Sequence, residues 1–348
     1  MPPTSPPERI LVVRLSHLGD ITQAIPLVHA LRDRWPAAEI GWAAQPEFAA
    51  LIEPLATVLP FDRKGGLRAW LNFRAAARRF KADLVVDAQG NWKSAFAAWV
   101  AARGAGSCRR VGFALEHWQE PLAARVTGPE LAPASTGPHL VQRVLGLAAH
   151  LTGEPPRQRL DPALTPDESE QGARLLPSPG RAAPVLLHPG VSGDPRSWPA
   201  DSFRQLGGEL IDRGVEVTVI TGPEEHAVGL ELERALPGAH HVVGQRGLRV
   251  LAAALGSAAQ RGGCLVSGDS GPAHVAASVG LPVVLIAGPE DPNRTGPWPA
   301  AAAPLPTEER VRPHRIPGPP WQARAITTVT VEDVRDAVLD LLTPPRAL

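Results

Sequence analysis

One stretch near the start limits the folds open to this chain: residues 9–31, RILVVRLSHLGDITQAIPLVHAL. The run 10–15 is apolar without alternation, the pattern of a parallel strand buried on both faces. A short turn, SHLGD, follows, and Ile21, Ala24, Ile25, Val28 and Leu31 then recur at helical spacing. Asp20 stands where a carboxylate would cap the helix start. Gly19 keeps the turn tight and lets a ligand approach the backbone. Pro26, inside the helical pattern, predicts a kink. Strand, turn and helix together hold a carboxylate at the carboxyl end of a strand, where open α/β sheets place their ligand clefts. Asp20 is either a helix cap or a site carboxylate, and the local pattern admits both.

The same unit recurs along the chain. Residues 39–44 and 57–61 read as further strands, and LVVDAQGNWKS (84–94) as a buried strand ending in Asp87, a turn at Gly90 and a helix beginning near Asn91. Lys93 falls in the first turn of that helix, where it opposes the dipole, so it snorkels to solvent or awaits an anion. Between these units, 63–81 carries Arg63, Lys64, Arg68, Arg74, Arg78, Arg79 and Lys81 opposite an apolar side of Trp70, Leu71, Phe73, Ala77 and Phe80. That segment is a solvated helix face or an anion-binding surface. Residues 110–123, polar groups beside aromatics without a period, suit a loop lining a site, and 139–151 reads as a helix closing the first half.

Residues 152–184 are dense in proline and form the best linker candidate, with a short helix at 167–176. The alternation then restarts: strands at 184–190, 215–222 and 240–243, helices at 203–213, 224–236 and 248–255, a strand, turn and helix in 264–280, and a strand at 281–289. A tail helix spans 331–342 with Thr330 as its cap. Strands alternating with helices on both sides of a linker predict an α/β protein with two parallel sheets, each covered by helices. At 348 residues the chain is long enough for two cores.

Other classes fall away. Formal net charge is zero, so no global field draws the chain to nucleic acid or an anionic membrane. No apolar run approaches the ~20 residues of a membrane span. The start, MPPTSPPE, lacks the basic and apolar regions of a secretory signal. A cytoplasmic location is expected. Cys108 and Cys264 match no zinc or redox spacing, and no His, Asp and Glu cluster reads as a metal cage, so no metal and no cofactor is expected. There is no P-loop, and SHLGD is not the dinucleotide fingerprint.

The second half offers phosphate and sugar ligands at three strand ends. In VSGDSGPAHVAA, Asp269 ends a strand while Ser270 and Gly271 open a helix whose first amides suit an anion; His274 lies on its first turn. SGDSGP is also a plausible tight turn and cap. HPGVSGDPRSWP (188–199) adds a glycine-containing loop with Arg196 available to neutralise phosphate, and TGPEE (221–225) places carboxylates where ribose hydroxyls would lie.

These residues together resemble the glycosyltransferase family that includes the lipopolysaccharide heptosyltransferases. RLSHLGD, DAQGNWKS, HPG with its following W-P, GDSGPAHVAA and GPEDPNRTGPW stand in that family's order and spacing, from Ile10 to the tail helix. DAQGNWKS and the EPLA block most resemble the members that add the first heptose to the inner core. The resemblance implies a GT-B architecture, two Rossmann-like parallel-sheet domains facing a central cleft: 1–165 binding acceptor, 166–328 binding nucleotide sugar, and 329–348 crossing back to the first domain. It implies an inverting transfer from ADP-L-glycero-D-manno-heptose to a Kdo-bearing lipid A core, by an enzyme that is cytoplasmic or peripheral at the inner face of the inner membrane.

By the same resemblance Asp20 is the general base. His188, Gly190, Arg196, Glu225, Asp269, Ser270, Gly271 and His274 hold the donor, with Arg196 and the amides of Ser270 and Gly271 on the departing ADP in place of a metal. Ser16, Gly19, Arg63, Lys64, Lys93, Gln119 and Glu120 face the acceptor. The chain departs from the pattern at Gln119, where an arginine is usual before the EP pair, at 190–192, where threonines are common, and across 310–321, which lacks the usual cysteines. A family member using another nucleotide sugar or acceptor, a nucleotide-sugar epimerase of the same architecture and a noncatalytic sugar-nucleotide binder are the rival readings. The epimerase would need several acid/base groups on one sugar, and the binder should lack Asp20.

Overall fold

A computed structural model describes residues 6–62, 64–103, 108–114, 120, 126, 130–132, 137–177, 183–191, 194, 197–245, 247–288, 290–298 and 325–342. The chain divides into two compact units, Met1–Ala163 and Leu164–Leu348. The division falls inside the proline-dense stretch read as a linker.

The first unit runs β1 (Arg9–Val13), α1 (Leu18–Arg34), β2 (Glu39–Ala44), α2 (Ala49–Ile52), β3 (Thr57–Pro60), α3 (Gly66–Phe80), β4 (Leu84–Asp87), α4 (Trp92–Ala102), β5 (Arg109–Gly112), β6 (Glu130–Leu131) and α5 (Leu140–Thr152). Its six strands form one sheet in the order β3-β2-β1-β4-β5-β6, parallel at every pairing. The chain winds outward from β1 through β3 and then returns to pair β4 on the other side. The strand order therefore reverses between β1 and β4, where Val13 stands opposite Asp87, and such a reversal opens a crevice at the carboxyl ends.

Periodicity explains the layers. Leu11, Val13 and Val85 on one face of the sheet pack with Phe73, Ala77 and Phe80 of α3 and Ala97, Ala98 and Ala101 of α4. On α1 every residue from Ile21 to Leu31 is buried, and the helix continues unbroken through Pro26. Burial on that scale outweighs the lost amide hydrogen bond, which alone costs about 3 kcal/mol in an exposed helix.

The second unit runs α6 (Pro166–Ala173), β7 (Val185–His188), α7 (Ala200–Asp212), β8 (Val217–Ile220), α8 (His226–Ala235), β9 (His240–Val242), α9 (Leu248–Gln260), β10 (Cys264–Gly268), α10 (Gly271–Ser278), β11 (Val283–Ile286), α11 (Pro292–Thr295) and α12 (Val331–Leu342). Its sheet is again parallel, in the order β11-β10-β7-β8-β9. The carboxyl ends of β10, β7 and β8 thus lie side by side.

Two helices at its margins are firmly held. The short helix α6 is capped by Thr165, whose hydroxyl accepts from Glu168 N while Glu168 reaches back to the Thr165 amide. It packs on α9 so closely that a Cβ on Gly172 would come within 2.3 Å of the Ala253 carbonyl carbon. Thr330 caps α12 by accepting from Asp333 N at 3.1 Å. The buried face of α12, Val334, Val338 and Leu341, lies in the second unit's own core with Trp198, Phe203 and Leu206.

Candidate active site

In the first unit, the turns after β1 and β4 line one cavity of about 250 Å³, bounded by Arg14, Leu15, Ser16, His17, Asp20, Gln89, Asn91 and Lys93. The two turns are tied together: Leu15 N donates to Gln89 Oε1 at 2.7 Å. The β4 turn is built on Asp87, fully buried, which accepts from Gln89 N at 3.0 Å, Gly90 N at 3.2 Å and the Ser94 hydroxyl at 3.0 Å. Asn91 caps α4 in a reciprocal box with Ser94, which fixes the register of Lys93 in its first turn. Asp87 is the strut of the turn, and Lys93 is the charge the turn presents.

Asp20 does not cap its helix. The N-cap of α1 is His17, and Ile21 N bonds the His17 carbonyl at 3.0 Å. Asp20 sits within the first turn, and its carboxylate meets Arg14 instead: Nη2 lies 2.8 Å from Oδ1. Arg14 is only 2 % exposed, and its Nη1 donates to the Ala88 carbonyl at 2.8 Å. His17 Nδ1 stands 3.4 Å from the other carboxylate oxygen, at a backbone φ of 64° that a non-glycine residue adopts only under constraint. Burial pushes the Asp20 carboxyl up, but the Arg14 charge, aided by the His17 hydrogen bond, outweighs it and leaves its pKa below the ordinary value. Asp20 is therefore an ionised acceptor of protons held in a fixed direction.

Arg14 was not singled out from the sequence. Its signal was present all the same: a charged residue within an apolar strand run must find a partner when buried. Ser16 is buried and lines the cavity. Gly19 lies inside the first turn of α1, not in the tight turn before it. That reading is corrected, because the helix begins two residues before Asp20. Lys64 is exposed in a turn where its amide donates to Asp62 Oδ1 at 2.8 Å, and it does not line the cavity. Glu120 is exposed and its carboxylate accepts from Trp92 N at 2.9 Å, at the positive end of α4. Arg63 and Gln119 lie outside the described residues.

In the second unit, the expected donor residues gather at the carboxyl ends of β7, β8 and β10. His188, at the end of β7, is buried; its Nδ1–H donates to the Ile220 carbonyl at 3.1 Å. Burial pulls its pKa below the ordinary value, against the charge of Glu225, so it is neutral. Its Nε2 is then a buried acceptor with no hydrogen-bond partner among the described residues. Gly190 follows at φ 74°, where a Cβ would strike Ser197 Oγ at 2.6 Å, so the loop requires glycine there. Glu225 closes the β8 turn by accepting from Gly222 N at 2.9 Å.

At β10, Ser270 caps α10 by accepting from Ala273 N and shares a 2.8 Å hydroxyl contact with Ser267. The Gly271 amide, first in the helix, has no intrahelical acceptor. His274 Nε2 donates to Asp269 Oδ1 at 3.2 Å, which orients the carboxylate beside that helix start. Arg196 lies outside the described residues. Among the described residues no three His, Cys, Asp or Glu side chains group as metal ligands, and no helix is long and apolar enough to cross a membrane.

Comparison with known proteins places the chain in a family. The chain is 29% identical over 308 residues to lipopolysaccharide heptosyltransferase 1 of Pseudomonas aeruginosa, covering 83% of this chain and 81% of that protein. It is 26% identical to lipopolysaccharide heptosyltransferase 1 of Escherichia coli K12 (83% and 90% covered) and 25% identical to lipopolysaccharide heptosyltransferase 2 of the same strain (83% and 85%). Its fold matches the structure of E. coli heptosyltransferase WaaC with ADP, at a TM-score of 0.72 and 22% identity over 96% of this chain and 99% of that one. It matches that of E. coli ADP-heptose heptosyltransferase II at 0.71 and 20%, over 96% and 98%. These are GT-B enzymes, and the two parallel sheets found here are of that type. The model of glycosyltransferase family 9 (heptosyltransferase) matches residues 70–314, most of both units. The chain belongs to glycosyltransferase family 9, the heptosyltransferases, and is a glycosyltransferase.

Proposed function

We propose that this protein transfers a heptose from ADP-L-glycero-D-manno-heptose to the Kdo-bearing inner core of lipopolysaccharide, with inversion at the anomeric carbon and Asp20 as the general base. The observation that carries this reading is the Arg14-bound Asp20 carboxylate on the wall of a cavity that Lys93 also lines. In the proposed step the acceptor hydroxyl gives its proton to Asp20 as its oxygen bonds to C1 of the donor. The C1–O bond to the diphosphate breaks at the same time, and ADP leaves with the electron pair. The low basicity of Asp20 suits a proton that becomes acidic only as the new bond forms. Lys93 is the cation for the acidic acceptor.

On the donor side, the proposal assigns the Gly271 amide and the positive end of α10 to the leaving diphosphate, and gives Arg196 the same role. Glu225 and the buried His188 acceptor take ribose hydroxyls, and Asp269 with His274 shapes the sugar pocket. First-heptose transfer is favoured over second because DAQGNWKS supplies three cavity residues, Gln89, Asn91 and Lys93.

The test is ADP release from ADP-heptose with and without the Kdo–lipid A acceptor, using Asp20→Asn and Lys93→Ala. Asp20→Asn should keep donor affinity and lose about 10²–10⁴-fold in kcat. Lys93→Ala should raise the acceptor KM, with an effect that shrinks as salt rises, and leave the donor KM alone. Near-normal turnover in Asp20→Asn removes the base assignment, and a donor defect in Lys93→Ala removes the acceptor assignment.

A further inference from the structure

Helix α3 is apolar on two sides. Ala69, Phe73, Ala77 and Phe80 bury one stripe in the core. Leu67, Trp70, Leu71, Arg74 and Arg78, spaced i, i+3, i+4, i+7 and i+11, form a second stripe, of which Trp70 also packs against the core on Phe61. Leu67 is 76% exposed and Leu71 54%, and Trp92 at the start of α4 is also 54% exposed. These are three of the four strongly exposed large apolar residues among the described residues. Isolated exposed leucines need no explanation, but a cluster does.

The cluster has shape. Between the second stripe of α3 and Phe96, Trp99 and Val100 of α4 runs a groove of about 520 Å³ that Arg74, Arg78 and Arg103 also line. Its floor is a chain of ring contacts, Trp70 on Phe96 at 4.9 Å and Phe96 stacked on Trp99 at 5.4 Å between centroids. The Arg103 guanidinium lies 3.9 Å over the Trp99 ring. A smaller apolar pocket lined by Trp70, Trp92 and Phe96 adjoins it.

Charge selects the occupant. In a chain of net charge zero, α3 carries Arg68, Arg74, Arg78 and Arg79 and no acid, and α4 carries Lys93 and no acid. Among the described residues the acids facing the region are Asp62, in the smaller pocket, and Glu120, engaged on the Trp92 amide. A protruding leucine and tryptophan edge beside a rim of arginines is the surface that sits at a bilayer interface, aliphatic and indole groups at the acyl boundary and guanidinium groups on phosphates.

We propose that the α3–α4 face docks the protein on an anionic lipid bilayer, with Leu67, Leu71 and Trp92 entering the interface and Arg74, Arg78 and Arg103 holding headgroup phosphates. The face goes beyond the transfer reaction and stands on its own residues, whichever sugar and acceptor the enzyme uses. Lys93 lines both the smaller pocket and the Asp20 cavity, so docking there brings a lipid-borne acceptor to the first unit's site.

Vesicle sedimentation of the full-length protein tests this, without acceptor in the vesicles so that its outcome is separate from that of the transfer assay. Wild type should bind phosphatidylcholine vesicles with about 30% phosphatidylglycerol at least about tenfold better than phosphatidylcholine alone, and less at about 0.5 M salt. Leu67→Ser/Leu71→Ser and Arg78→Gln/Arg103→Gln should each reduce binding by about tenfold or more, with circular dichroism unchanged. Both should release ADP normally with an acyl-free acceptor. The proposal is overturned if wild type binds neither vesicle, if either variant binds as wild type does, or if the variants lose turnover with the acyl-free acceptor. Loss of binding only in the arginine variant would mean electrostatic adsorption without apolar entry, which also overturns it.

Discussion

Arg14→Met separates the base from its holder. Arg14 is 2% exposed and Asp20 31%, with 2.8 Å between Nη2 and Oδ1. The charge centres of such a pair lie about 4 Å apart, and at an effective dielectric of about 20 they attract by about 4 kcal/mol. Water at the exposed third of Asp20 screens roughly half of that. The Ala88 carbonyl also loses its donor, worth about 1 kcal/mol. Together the loss is about 3 kcal/mol. For a unit of this size that is a fall of roughly 6–12 °C in the Tm of the transition belonging to the first unit.

The chemistry should change with a definite sign. In wild type the Asp20 pKa is depressed, so the pair stabilises the fold above about pH 4 and the benefit is lost as pH falls through the native value. Without Arg14, only His17 is left to oppose burial and the carboxyl titrates higher. The acid limb of kcat/KM should therefore move to higher pH, while Arg14→Lys, which keeps the charge but not the fork, falls between. The assay is ADP release across about pH 4–9, paired with thermal unfolding at each pH. An acid limb that stays in place, or moves down, together with an unchanged Tm, refutes the coupling of Arg14 to Asp20.

Two further outcomes are expected in the second unit. Gly172→Ala pushes a methyl into the Ala253 backbone, so α6 must shift from α9 at a cost of about 1–3 kcal/mol, seen as a lower denaturation midpoint with donor affinity nearly unchanged. Glu168 is held by Arg249 across the same contact, and that hydrogen bond brings its pKa down to about 2. The stabilisation is present above about pH 4.3 and disappears between there and the native value, so Glu168→Gln should be less stable at pH 7 and lose less than wild type on acidification. Equal acid sensitivity of the two proteins in urea titrations would contradict it.

Much of the architecture was legible because it follows from local pattern. Unalternating apolar runs before glycine-containing turns marked nine of the strands between residues 10 and 289, and helical spacing marked the long helices, with α12 at 331–342 recovered to the residue. The Thr330 cap on Asp333, which depends on neighbours in the chain, was legible for the same reason, as was the start of α4 near Asn91. So was the placement of Asp20 after the first strand and of Lys93 in the first turn of α4. The cap role of Asp20 and the turn role of Gly19 were misread, because the helix starts earlier than the periodicity suggested.

What the sequence by itself determined is the succession of strands, turns and helices, the two-unit organisation and the residues that each turn presents. All of these are set by interactions within a few residues. Tertiary structure decided the strand order that makes β1 and β4 neighbours, and with it the meeting of the SHLGD and DAQGNWKS turns around one cavity. It decided that the Asp20 carboxylate goes to Arg14, the residue that follows β1, and that Arg14 is anchored on Ala88 after the neighbouring β4. It also decided that α3 keeps a second apolar stripe facing α4, which one helix's periodicity cannot distinguish from its core face. Each depends on which segments pack together, and burial energy summed over distant residues chooses that, not the spacing along the chain.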